Sequence, residues 1–347
     1  MYKPNELKQD ITGIYKRFPK LPTYTKNLEN WHVDYSEEKL RLDKCASGER
    51  FTFSHADEDM CKKLGLKYEP KPYTWLSMAG DLSSYSTKRF IDSYLMCFKG
   101  DATWQEVFRE AATYDYWALR MELIEHKLVL EQFLKGKRKQ KPVSHLRSSG
   151  VTLGICIALG WLEYARELRD KISFSLEHDM VNDGYDHFGR RRTQHFLIRL
   201  LNSHDEISDI QLEKEIKCAY DVPIFNEIID NWKSDDAFQL TESIIDLCDR
   251  HTHQCRQDSF NNNRYYDFSN LSLEYYLPVE ILSIFKLREE RGLNNLQIDH
   301  KIMNTPLAGL DGNFEPYNSD FLDSLLWFAR AECGELYKSI PTQLKDT

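Results

Sequence analysis

The chain has 347 residues, of which 41% are hydrophobic and 29% charged, values typical of a globular protein with room for one large or two ordinary domains. Its longest apolar run, residues 151–162, is too short to span a bilayer, which needs about 20 residues. The formal net charge of −9 opposes the sustained positive field that phosphate binding requires. We therefore expect a partner that is neither a membrane nor a nucleic acid, and a buried core helix at residues 151–162.

The N-terminal residues are polar and lack the basic and then apolar segment of a secretory signal. Eight cysteines are scattered along the chain without a CxxC pair. Scattered cysteines in a chain of this kind indicate reduced, buried thiols. We therefore expect a cytoplasmic protein with neither a disulfide framework nor a zinc finger.

Helical periodicity is sparse in the first 100 residues. Helices are predicted over residues 6–18, 57–64 and 85–98, whereas residues 19–48 show little periodicity. We therefore divide the chain into an N-terminal helical and irregular region, residues 1–100, and a helical domain, residues 101–347.

From residue 103 onwards the helical pattern is strong. Thr103 and Glu106 have the spacing of a capping box, and apolar residues then follow to Leu130, which predicts one long helix or two closely joined ones. Pro223 suits a first helical residue, with Asp221 nearby as a cap. Further helices are predicted over residues 150–159, 161–176, 193–202, 210–220, 223–232, 236–249, 278–291 and 319–333.

Alternating runs of β-branched residues are too short to predict a sheet. The expected fold class is therefore all-α, either an array of antiparallel helical hairpins or an irregular helical bundle.

Two patterns carry residues that could perform chemistry. Asp249, His251, His253 and Cys255 have metal-ligating atoms two residues apart, a spacing that points to different sides of a helix and converges only in an extended chain. The alternative is that the two histidines end the preceding helix and face its negative pole. We expect no bound metal and no cofactor.

Residues 184–190 have the glycine spacing of a phosphate-binding loop. Arg190 and Arg191, however, stand where that loop needs a lysine and then a serine or threonine, so a turn is favoured. No other catalytic motif is evident, and we expect a binding protein rather than an enzyme. A helical hydrolase or metal-dependent enzyme, with a site not visible in the sequence, remains the alternative.

Negative charge is concentrated in one stretch. Residues 201–250 contain thirteen acids and four bases, and the difference of nine equals the net charge of the whole chain. Such asymmetry suits an electrostatically steered partner surface, and the alternative is a solvated helical face. The acids expected to contact a partner are Asp205, Glu206, Asp209, Glu213, Asp230, Asp235, Asp236 and Glu242.

Residues 275–310, which include the run Tyr275-Tyr276-Leu277-Pro278-Val279-Glu280-Ile281, carry a family resemblance together with Tyr116-Trp117 and Leu159-Gly160-Trp161. This part of the chain resembles the α-helical immunity proteins encoded beside secreted bacterial toxins, in particular those that neutralise polymorphic nuclease effectors of type VI secretion. The resemblance covers the C-terminal two-thirds of the chain.

The resemblance implies a cytoplasmic protein that binds its cognate toxin tightly and blocks the toxin's active site without catalysis. Nuclease toxins carry basic substrate grooves, which carboxylates can occupy as phosphate surrogates. The expected partner is therefore a basic, nuclease-like toxin, and the oligomeric state is left open.

Overall fold

A computed structural model describes residues 21–30, 34–54, 58–181, 191–208, 219–254, 267–268 and 276–333. This part of the chain is predominantly helical, which confirms the all-α prediction. Its α-helices are α1 (Leu21–Asn30), α2 (Ser36–Ala46), α3 (Glu58–Lys63), α4 (Trp75–Phe98), α5 (Trp104–Leu134), α6 (Leu146–Ala158), α7 (Leu162–Glu177), α8 (Arg192–His204), α9 (Pro223–Asn231), α10 (Thr241–Gln254), α11 (Val279–Glu290) and α12 (Asp320–Cys333).

The remaining regular elements are short. Strands β1 (Thr52–Phe53) and β2 (Lys71–Pro72) pair antiparallel, with Thr52 opposite Pro72. Two 3₁₀ turns, Ala237–Leu240 and Pro306–Gly309, precede α10 and α12 respectively. None of the described helices is both long enough and apolar enough to cross a bilayer.

Helices α4 and α5 form a hairpin that organises the N-terminal half. The 31 residues of α5 contain neither glycine nor proline, and the pattern from residue 103 resolves into a single long helix. Phe108 of α5 packs on Phe90 and Tyr94 of α4, with ring centroids 5.1 and 6.2 Å apart. Helices α1, α2 and α12 pack against α4.

The predicted capping box at the start of α5 is not formed. Thr103 makes no side-chain cap hydrogen bond to the helix. Instead, its backbone N–H and its hydroxyl both donate to the Asp101 carboxylate, at 2.9 and 2.8 Å. The prediction was wrong because a local Asx-type turn at Asp101 satisfies these groups first.

Helix α6 is buried among the helices that follow α5, as its apolar run predicts. Leu153, Cys156 and Ile157 are completely buried, and α6 contacts α5, α7, α8 and α11. Gly150 and Gly154 lie one turn apart on α6. A Cβ atom at Gly154 would lie only 2.8 Å from side chains of α8 and α11, so glycine permits this close helix packing.

The expectation for residues 19–48 was wrong, because α1 and α2 occupy most of this range. Each buries a single pair of side chains, Tyr24 and Leu28 in α1, Leu42 and Cys45 in α2. The division proposed near residue 100 falls in the turn between α4 and α5 and stays a prediction. The helix predicted over residues 6–18 and most of the one over 210–220 lie outside the described residues.

Candidate functional site: an acidic turn between two helices

Most of the predicted contact acids that the structure describes lie on one feature, the acidic turn, which we define as residues 230–242 at the end of α9 and the start of α10. Pro223 begins α9 as predicted, and α9 buries Phe225 and Ile228. The turn is anchored at one end by Trp232, which is fully buried, and at the other by Leu240, which is 2% exposed. The backbone between Trp232 and Leu240 is therefore held at both ends by buried side chains.

Asp221 does not act as the cap of α9, contrary to the prediction. The residue before Pro223 is Val222, and no side chain caps the helix. The Asp221 carboxylate instead pairs with the Arg192 guanidinium at the start of α8. The ion pair takes the oxygens that a cap would use.

A buried arginine of α11 fixes the backbone of the acidic turn. Nη1 of Arg288 donates to the carbonyl oxygens of Trp232 at 2.5 Å and Ser234 at 3.0 Å, and Nη2 donates to that of Asn294 at 2.7 Å. Arg288 is 2% exposed. Burial lowers its pKa and the negative charge of Asp235 opposes that shift. Because carbonyl oxygens satisfy this buried cation, the turn and α11 hold each other in place.

The end of α8 is joined to the same turn. The indole N–H of Trp232 donates to the Ser203 hydroxyl at 3.1 Å, and Nζ of Lys233 donates to the Ser203 carbonyl at 2.5 Å. Glu206, three residues beyond Ser203, is exposed and has a left-handed backbone with φ of +59°. The contacts of Ser203 therefore bring the segment carrying Glu206 towards the acidic turn.

The structure divides the eight predicted contact acids into three groups. The side chains of Asp230, Asp235, Asp236 and Glu242 are exposed on the acidic turn, and that of Glu206 is exposed at the end of α8. Asp209 and Glu213 lie outside the described residues. Asp205 has a different environment from the others.

Asp205 is held inside an ion-pair cluster. Its carboxylate accepts hydrogen bonds from Arg166 at 3.0 Å, from Arg169 at 2.6 Å and from His204 at 2.9 Å. Partial burial raises the pKa of Asp205, but these donors outweigh it and lower the pKa to about 2. Its negative charge is therefore neutralised by the arginines of α7, and this pairing helps to join α7 to α8.

The sequence interpretation overlooked one side chain on the acidic turn. Phe238 is 81% exposed, more than any other large hydrophobic side chain in the described part of the chain. Its backbone N–H donates to the Asp236 carboxylate at 3.0 Å, which starts the 3₁₀ turn. The only available signal was its position two residues after Asp236 of the Asp235-Asp236 pair, in a segment predicted to be helix.

Of the four possible metal ligands, the structure describes the side chains of Asp249 and His251, and each contacts a different partner. Nδ1 of His251 lies 2.9 Å from the Glu280 carboxylate with both side chains buried, and Asp249 lies 3.1 Å from Nε2 of His300. His251 lies in the last turn of α10 that the structure describes, which extends to Gln254. Among the described residues no three histidines, cysteines or acids cluster as metal ligands. Cys255, the side chain of His253 and residues 184–190 lie outside what the structure describes.

A second polar cluster surrounds the start of α8. The Asp267 carboxylate accepts the backbone N–H groups of Arg192 at 3.0 Å and Thr193 at 3.1 Å, and Arg250 at 3.1 Å. His195 lies next to this cluster and is 2% exposed. Burial lowers the pKa of His195 to about 4, although Asp267 acts in the opposite direction. Asp267 therefore serves as a cap that links α8 to α10.

No protein-family model, curated protein or solved structure matches this chain at a significant level.

Proposed function

We propose that this chain is an immunity protein that binds a cognate secreted toxin and occludes the toxin's active site with the acidic turn. The observation that carries the proposal is the exposure of Asp230, Asp235, Asp236 and Glu242 on one rigidly held turn. Between residues 219 and 248 the sequence has seven acids and one base, so the local charge is strongly negative. A basic partner would be steered towards this surface.

The resemblance to immunity proteins supports the same assignment. It rests mainly on residues 275–310, and Arg288 in that segment is the side chain that fixes the acidic turn. The proposed partner is a nuclease-like toxin of type VI secretion, and the carboxylates would stand in for the phosphates of its substrate. The proposal places the chain in the cytoplasm, where such a nuclease acts, and assigns it no catalytic step.

The primary test is protection from the toxin. The protein encoded by the gene adjacent to this one is expressed in a bacterial host, with and without this chain. The expected result is growth arrest by the neighbour alone and normal growth with co-expression. The purified neighbour should lose nuclease activity at a 1:1 ratio and remain intact by mass spectrometry. Proteolysis or chemical modification of the neighbour would instead support an enzyme.

The acidic surface is tested by isosteric neutralisation. Asp230→Asn, Asp235→Asn and Glu242→Gln together remove three charges and leave Asp236 to cap the 3₁₀ turn. The control triple Glu37→Gln, Asp59→Asn and Glu69→Gln removes three exposed charges in the N-terminal region. We expect the first triple to slow association about 10-fold at low salt and the control to leave it unchanged. Equal association rates for both triples would contradict the assignment of this surface.

A further inference from the structure

The acidic turn presents an aromatic side chain as well as carboxylates. Phe238 is 81% exposed, although Trp232, six residues before it, and Leu240, two residues after it, are buried. A large aromatic ring left in water loses the favourable transfer that burial would provide. The ring is therefore available to a partner without any rearrangement of the core.

The backbone that carries Phe238 is held in place by a chain of hydrogen bonds. The Ser234 N–H donates to the Asn231 carbonyl at 2.9 Å, the Asp236 N–H to the Ser234 hydroxyl at 3.2 Å, and the Phe238 N–H to the Asp236 carboxylate at 3.0 Å. The Thr241 N–H then donates to the Phe238 carbonyl. A side chain with two rotatable bonds on a fixed backbone loses little entropy when it is bound.

The charges around Phe238 define what the partner must offer. Asp235, Asp236 and Glu242 are exposed within four residues of the ring on either side. An apolar anchor with an acidic rim is complementary to an apolar pocket whose rim carries lysine or arginine. A cation of that rim could also lie over the ring face. A neutral or acidic groove would leave the carboxylates desolvated without counter-charges.

We propose that Phe238 is the apolar anchor of the acidic turn and inserts into a pocket rimmed by basic side chains on the toxin. This rests on the proposed function and assigns two roles within one surface. The carboxylates govern the association rate, and Phe238 governs the dissociation rate. Hot-spot residues of an interface are often aromatic side chains whose surrounding contacts exclude water.

The test compares Phe238→Ala with Trp327→Ala, which removes a 64% exposed aromatic from α12. The probe is the toxin encoded by the adjacent gene, made catalytically inactive, and binding kinetics are measured at two salt concentrations. Both variants should melt at the wild-type temperature, since neither ring is buried. We expect Phe238→Ala to weaken affinity about 30-fold or more through faster dissociation, the factor that about 2 kcal/mol represents. Trp327→Ala should bind like the wild type.

A further variant and the neutralised triple separate the two proposals. Phe238→Leu should recover part of the affinity, because it restores apolar volume. If Phe238→Ala binds like the wild type while the neutralised triple associates slowly, the anchor is overturned and the proposed function stands. If Phe238→Ala and Trp327→Ala weaken binding equally, the anchor is also overturned. If the wild-type chain does not bind the neighbouring toxin, the proposed function fails and the anchor fails with it.

Discussion

Replacement of Arg288 by methionine tests whether one buried side chain maintains the acidic turn. Methionine keeps the length and most of the apolar volume of the side chain but donates no hydrogen bonds. The carbonyl oxygens of Trp232, Ser234 and Asn294 then lose their donor. The backbone between α9 and α10 is the part of the fold that should respond.

The magnitude follows from those three carbonyl groups. A buried acceptor left without a donor costs about 1–3 kcal/mol, but Ser234 is half-buried and its carbonyl can regain a water. Removal of the buried cation also ends its desolvation cost, which recovers part of the loss. We expect a net loss of about 3 kcal/mol in the free energy of unfolding.

The assay is urea unfolding combined with amide hydrogen exchange. The urea midpoint should fall, and exchange should accelerate at residues 232–240 while α4 and α5 keep their protection. The control is Arg291→Met, which removes an exposed cation 5.9 Å from the Trp232 ring and should change stability by less than about 0.5 kcal/mol. Equal midpoints and equal exchange for the two variants would refute the role of Arg288.

Three further predictions concern the stability of the fold. Gly154→Ala should destabilise the fold by about 1–2 kcal/mol, because the added methyl group overpacks against α8 and α11. Gly80 is exposed in α4 with open space around it, so Gly80→Ala should stabilise the fold by about 0.5–1 kcal/mol. Thermal unfolding of the two variants measures the difference. The folded-state pKa of His195, about 4, lies below its unfolded value, so the unfolded state binds more protons between pH 6.5 and 4. The free energy of unfolding should therefore fall as the pH is lowered through this window, by at most about 3 kcal/mol. His195→Gln should flatten the unfolding midpoint over that window, and an unchanged pH profile would contradict it. Asp205→Asn should lower the urea midpoint at pH 7 by the equivalent of about 2 kcal/mol. The wild type should lose this contribution only as the pH falls from about 4 to 2. A variant midpoint equal to that of the wild type at pH 7 would show that the ion-pair cluster adds no stability.

The fold was predictable where a helix has many turns. The uninterrupted pattern of α5 and the apolar run of α6 each identify an element without any tertiary information. Helices α1 and α2 were missed because each buries only two side chains, which is too few to establish a period. For such helices, contact with α4 contributes the stability that local sequence does not.

The candidate site was predictable in its charge but not in its geometry. Counting acids cannot distinguish Asp205, neutralised by arginines 36 and 39 residues earlier in the chain, from Asp235, which is exposed. An apolar residue in a predicted helix is assigned to the core by default, so Phe238 was overlooked. Its exposure depends on the 3₁₀ turn that ends before α10, and no local pattern marks that boundary.

The contacts of Arg288 have a consequence for how recognition by this protein could change. Its guanidinium donates hydrogen bonds to main-chain carbonyl oxygens, which every amino acid has, so these bonds do not depend on which side chains the turn carries. The exposed positions 235, 238 and 242 can therefore accept other residues while the backbone between α9 and α10 keeps its course. A library randomised at these three positions should retain the wild-type melting temperature in most members while varying in the partners that the proposed acidic surface binds. The same backbone would then carry different binding specificities, because substitutions at these exposed positions do not disturb the core.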